Sequence, residues 1–160
     1  MIQFQVGDRA VFPSHGVGIV KSIESREIAG SKQDFYVLHI VSSGAKLMVP
    51  TTSCSKAGMR GLISDHEISN VFDILKTRRK INHTTWNRRF REYNEKLRTG
   101  SVIEVAEVYR DLHYLQTDKD LSYGEKKMMK KARELMINEI SAASDKETDK
   151  VEEEIDSIFR

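Results

Sequence analysis

At 160 residues and 18.4 kDa, with 39% hydrophobic side chains, the chain can fill one ordinary domain or two small ones, which excludes a disordered polymer. Charged residues reach 31% while the formal net charge is only +2, so what matters is how the charges are distributed. No run of 18 apolar residues occurs, and the lone Cys54 has no internal disulfide partner and no metal-ligand spacing around it. A cytoplasmic, reducing location with no membrane partner is expected.

The charges are segregated. Residues 1–75 carry 7 basic and 7 acidic side chains, and residues 76–100 carry 9 basic against 2 acidic. Residues 101–133 are nearly balanced at 7 and 6, yet "KKMMKKAR" holds Lys126, Lys127, Lys130, Lys131 and Arg133. The last 27 residues reverse the sign, with 9 acidic and 3 basic. The amino-terminal "MIQFQVGDR" has no basic region followed by an apolar run, so no targeting segment is expected.

From residue 4 to about 56 the pattern is short and β-like: "RAVFP", "VGIVKSIESREI", "DFYVLHIV" and "AKLMVP", rich in Val, Ile, Phe and Tyr. Gly7-Asp8, "PSHGVG", "AGSK" and "SSG" separate the runs as turns, and Pro13 and Pro50 sit at run ends where a missing N–H is tolerated. Four or five strands in this length predict a small, strongly bent antiparallel barrel, with Cys54 a strand filler rather than a nucleophile.

After "AGMRG" the period becomes helical. Three segments open with serine followed three residues later by glutamate: Ser64 and Glu67, Ser101 and Glu104, Ser122 and Glu125. Each predicts a capping box, in which the hydroxyl accepts from the N3 amide and the glutamate reaches back to the cap amide. The apolar stripes that follow are Ile68, Val71, Phe72 and Leu75; Val105, Tyr109 and Leu112; and Met128, Ala132 and Leu135. Thr84 or Thr85 is expected to cap a helix running to about Arg98 and ended by Gly100, and a last helix over roughly 148–159 offers Val151, Ile155 and Ile158. The predicted fold is α+β: a small antiparallel β-barrel over 1–60, then a bundle of about five α-helices over 61–160, joined near 56–63.

An enzyme needs converging reactive groups, and His15, His39, His66, His83 and His113 show no metal spacing and no partnered Ser or Cys motif. "HGVG" lacks the downstream Gly-Lys-Ser/Thr of a phosphate loop. No catalytic activity, metal or cofactor is expected.

"TTWNRRFREYNEKLRTGS", residues 84–101, holds the only tryptophan. Trp86, Phe90, Tyr93 and Leu97 follow helical spacing, which makes Trp86 a core residue. Against that, side chains in a first turn lean toward the amino-terminal end and can project past it. Arg88 and Arg89 sit in or beside that turn, where the helix dipole disfavours cations, so either an anion such as a phosphate compensates them or they form a solvated basic face. The lysines of "KKMMKKAR", spread over more than one helical face, add a second basic patch whose alignment with the first is left open.

"FQVGDRAVFPSHGVGIVKSIESREI", "FYVLHI", "LMVP", "TTWNRRFREYNEKLRTGS", "AEVYRDL" and "KDLSYGEKKMMKKARELM" resemble, in order and spacing, the CarD/CdnL family of bacterial RNA polymerase-binding transcription regulators, over essentially the whole chain. The chain lacks the AT-hook tail of the larger CarD regulators and so resembles the short, CdnL-like form. The resemblance implies that residues 1 to about 60 form a Tudor-like polymerase-interaction domain and that the helical remainder contacts DNA. It implies that Arg26, Met48 and Pro50, the last two within "KLMVP", meet the polymerase β subunit, with Met48 standing where one branch of the family has a basic residue. It also implies that Trp86 is a wedge at the upstream edge of the promoter bubble, and that Arg88, Arg91 and Lys126 approach DNA. Arg89, Lys127 and Lys130 complete the expected DNA-binding set, and the stripe of α-helical core residues becomes Phe90, Tyr93 and Leu97. The implied function is stabilisation of the open promoter complex by a monomer. The alternative is a polymerase-independent nucleic-acid-binding protein with a separate small-barrel module.

Overall fold

The computed structural model describes residues 4–77, 86–98 and 101–160, the side chains of residues 86 and 87 excepted. The predicted caps Thr84 and Thr85, the predicted stop Gly100 and the side chain of Trp86 lie outside the described residues. The chain divides into two compact units, Met1–Leu62 and Ile63–Arg160.

In the first unit, β1 (Arg9–Phe12), β2 (Gly16–Ile28), β3 (Ser31–Ile40) and β4 (Lys46–Pro50) form one curled antiparallel sheet in the order β1-β2-β3-β4. Ala29 and Gly30, both at positive φ (53° and 82°), make the two-residue turn that joins β2 to β3 with the twist a hairpin needs. Val20 pairs with Leu38, Gly18 with Ile40 and Ile23 with Tyr36. On this concave side Ala10, Val20, Tyr36, Leu38, Ile40 and Val49 pack with Phe4 and Met59. Gly18 is required here, because a Cβ would stand 2.7 Å from Leu38 Cγ.

The register slips between Val20 and Ser22. A one-residue slip exchanges the faces of everything beyond it, so Ser22, Glu24 and Arg26 turn outward while Val20 stays in the core. Cys54 is buried, but in the turns that follow β4 rather than in the expected strand, with its Sγ 3.7 Å from the Thr51 carbonyl. Backbone bonds between Val11 and Arg60, 2.7 and 3.0 Å, cover the outer edge of β1. Among the described residues no strand pairs with the outer edge of β4.

The second unit contains α1 (Asp65–Lys76), α2 (Trp86–Arg98), α3 (Val102–Asp118), α4 (Tyr123–Ser144) and α5 (Thr148–Ile158). The capping boxes at Ser64 and Ser122 form with both bonds, whereas Ser101 takes the cap position of α3 without a side-chain hydrogen bond. The central helix α3 packs against α1, α2 and α4, and its residues Val105, Ala106, Val108, Tyr109, Leu112 and Leu115 are buried. Val151 and Ile155 close α5 on the core. Asp156 and Arg133 pair bidentately at 2.7 and 3.3 Å, with Arg133 also donating to the Tyr109 hydroxyl at 3.1 Å. No helix among the described residues is long and apolar enough to cross a membrane.

Candidate nucleic-acid interface and sheet docking face

The buried side of α2 is out of phase with the predicted stripe. Tyr93 and Leu97 are buried, but the third inward position is Arg89, 7% exposed, and Phe90 is 39% exposed. The expectation that Arg89 belongs to a DNA-facing surface is therefore corrected. Its guanidinium donates at 3.2 Å to Glu125, whose side chain is 1% exposed. The anion that compensates this arginine in an unfavourable first turn is a carboxylate from α4, so its placement calls for no phosphate.

Glu125 serves two structures at once. One carboxylate oxygen accepts the Ser122 amide at 3.0 Å in the capping box of α4, and Lys119 stands 3.6 Å from the same oxygen. The other oxygen receives Arg89. Burial pushes the Glu125 carboxyl up, but the Ser122 amide and hydroxyl, with Lys119 and Arg89, outweigh it and hold the group below the usual carboxylate range. The result is a rigid tie between the amino-terminal turns of α2 and α4.

That tie bears on whether the two basic patches align. Arg88 and Lys126 each directly follow or precede a member of the buried pair in sequence, and both are exposed. Arg88, 71% exposed, makes only a 3.6 Å contact with Glu92 one turn on, a weak surface pair. Arg91 is exposed as well. On α4 the lysines occupy fewer directions than expected: at 100° per residue, Lys126, Lys127, Lys130 and Lys131 share one side of the helix, and all four are exposed. Glu125, Met128, Ala132 and Met136 are buried on the other. The hydrophobic periodicity of α4 holds this side in water.

The first unit carries the second surface. The register places Met48 opposite Val37, Pro50 opposite Phe35, and Arg26 opposite Gln33, with Ser22 and Glu24 beside them. Directly paired residues point to the same side of a sheet, so Arg26, Met48 and Pro50 share its outer face. Met48 is 38% exposed, and Arg26 is exposed and paired with Glu24 at 3.2 Å. Phe35, half-buried, adds to the apolar part of this face, an assignment the sequence reading missed, whereas Val37, paired with Met48, is only 1% exposed and offers no surface. The strand alternation on "DFYVLHIV" holds the signal, but with β3 apolar on both sides it does not say which side is which.

Two family models match this chain: a CarD-like/TRCF RID domain over residues 4–63 and a CarD C-terminal domain over residues 70–156. A Bacillus subtilis (strain 168) protein named "Putative transcription factor YdeB" is 33% identical over 137 residues, covering 86% of this chain and 90% of its own. Among solved structures, CdnLNt from Myxococcus xanthus is 43% identical, covering 41% of this chain and 92% of its own, with a TM-score of 0.34. The 72-residue N-terminal domain of Myxococcus xanthus CarD is 38% identical, covering 38% of this chain and 81% of its own, with a TM-score of 0.33. Both halves of the sequence thus match CarD models in the order that the two compact units take along the chain, and the chain belongs to the CarD family.

Proposed function

We propose that this protein regulates transcription initiation by docking on the RNA polymerase β subunit through the outer sheet face of its first unit. Its helical unit then contacts promoter DNA at the upstream edge of the bubble and stabilises the open complex. The observation that carries the reading is the division of labour between two units with different surfaces. One has an outer sheet face carrying Arg26, Phe35, Met48 and Pro50, beside a β4 edge that no strand pairs with among the described residues. The other has exposed cations at the joined ends of α2 and α4.

In this reading Arg88, Arg91, Lys126, Lys127 and Lys130 meet phosphates and fix register without reading sequence. Trp86, the first residue of α2, wedges against the last stacked base step, where an aromatic surface offsets a few kcal/mol of unstacking. Docking raises the local concentration of a DNA module too weak to act alone. No bond is made or broken.

The test is binding of the full-length chain to the β subunit. Arg26→Glu and Met48→Glu each place a carboxylate on an exposed sheet face, so both should leave circular dichroism unchanged and weaken affinity at least several-fold. Undiminished affinity for both variants would put the interface elsewhere. The polymerase-independent alternative predicts no measurable affinity of the wild-type chain for the β subunit.

A further inference from the structure

Tyr123 is the first residue of α4 and is 82% exposed. Among the described residues it makes no hydrogen bond, ion pair or ring contact. A tyrosine usually lays its ring on the protein and wets only its hydroxyl, so a ring left in water on a well-packed bundle calls for an explanation.

Its position along α4 supplies one. Lys126, Lys127 and Lys130 follow Tyr123 at i+3, i+4 and i+7, the spacing that stacks side chains along one side of a helix, and all three are exposed. Glu125 and Met128 are buried on the opposite side, which fixes the rotation of the helix and keeps ring and lysines facing outward together. The Arg89–Glu125 ion pair and the Ser122 capping box hold the first turn of α4 rigid, so the ring is presented from a fixed backbone.

An exposed ring at the head of a row of cations is a combination suited to one ligand chemistry. Duplex DNA offers phosphates to the lysines but keeps its bases stacked, so nothing in it meets the ring. A single strand offers both: an unpaired base has a free face for the ring, and the adjoining phosphates reach the lysines. From Tyr123 to Lys130 the helix advances roughly 10 Å, at about 1.5 Å per residue, which suits one nucleotide and its neighbouring phosphates. We propose that Tyr123 is a contact residue for an unpaired nucleotide, with Lys126, Lys127 and Lys130 holding the flanking phosphates, so that this side of α4 binds single-stranded DNA. The proposal rests on the reading of the helical unit as DNA-contacting and adds that this side accepts an unpaired strand as well as duplex phosphates.

Fluorescence anisotropy of the whole 160-residue chain at low salt tests it, with labelled dT12 as the single strand and a G·C-rich 12-base-pair hairpin duplex as the comparison, titrated to millimolar protein. Tyr123→Ala should weaken dT12 binding about fivefold or more, in keeping with alanine substitution of other base-stacking aromatics. Duplex binding should change less than about twofold, and Tyr123→Phe should keep single-strand affinity. Thermal unfolding of Tyr123→Ala should match the wild type, since the side chain is in water. Equal losses on the two probes, or no loss on dT12, overturn the proposal. A wild-type chain that binds the duplex but not dT12 overturns it and leaves the DNA-contacting reading standing; one that binds neither overturns both.

Discussion

Neighbouring arginines on α2 have opposite fates, and their difference is measurable. The Arg88 side chain is 71% exposed beside Glu92, and the Arg89 side chain is 8% exposed against a Glu125 side chain that is 1% exposed. Removing Arg89 leaves a carboxylate buried with only Ser122 and Lys119 to compensate it, at a cost on the order of 3 kcal/mol; removing Arg88 should cost less than about 0.5 kcal/mol. Thermal unfolding of Arg88→Ala and Arg89→Ala at neutral pH checks this, and nearly equal melting temperatures would mean the buried pair contributes nothing. The pH dependence has a definite sign. Glu125 titrates below its unfolded value in the folded chain, so its contribution is present above about pH 4.3 and disappears as the pH falls through the lower folded value. The gap between wild type and Arg89→Ala should therefore narrow on acidification, because a protonated Glu125 no longer leaves an unpaired charge.

At the scale of elements, much of the molecule was legible in the sequence, and the failures have physical causes. The strands announced themselves because β-branched and aromatic runs were punctuated by turns, and two of three capping boxes formed because serine and glutamate stood at the right interval before an apolar stripe. On α2 the stripe was assigned one position off, with Phe90 inward in place of Arg89. Hydrophobicity alone ranks phenylalanine over arginine for burial, and the partner that reverses the ranking, Glu125, is 36 residues away in sequence. The bulge near Lys21 was equally invisible, and it decides which residues of β2 face outward. The lysines of α4 were legible as charges but not as one face until the buried side of the helix was fixed. If Arg88, Arg91 and Lys126 meet phosphates, changing all three to alanine should weaken duplex binding by any sequence alike. The log–log salt slope should then flatten by roughly 2 to 3 units. An unchanged slope would remove these side chains from the phosphate backbone, and a loss confined to one sequence would point to base readout.

At the scale of the whole molecule, the proposed mechanism requires two activities to reside in two units and to fail separately. The first unit has its own core built on Val20, Tyr36, Leu38 and Ile40, and the second has one built on α3, so substituting a side chain in one should leave folding of the other intact. Trp86 is the residue on which the separation turns, being the first residue of α2 and the position that the family resemblance makes a wedge. As a wedge it contributes to function rather than to the core: Trp86→Ala should lower stability by well under the roughly 3 to 5 kcal/mol typical of emptying a core aromatic site. Affinity for the polymerase β subunit should be unchanged, because the proposed docking surface is formed by the sheet. The lifetime of the open promoter complex should fall on the order of tenfold, since the bubble edge loses a stacking partner worth about 1–3 kcal/mol. Trp86→Phe, which keeps an aromatic face of smaller area, should recover part of that lifetime. Melting temperature, β-subunit affinity and open-complex dissociation measured on the wild type and both variants distinguish the possible roles. A large drop in melting temperature for Trp86→Ala returns the residue to the core, a loss of β-subunit affinity breaks the assignment of docking to the sheet, and an unchanged lifetime ends the wedge mechanism.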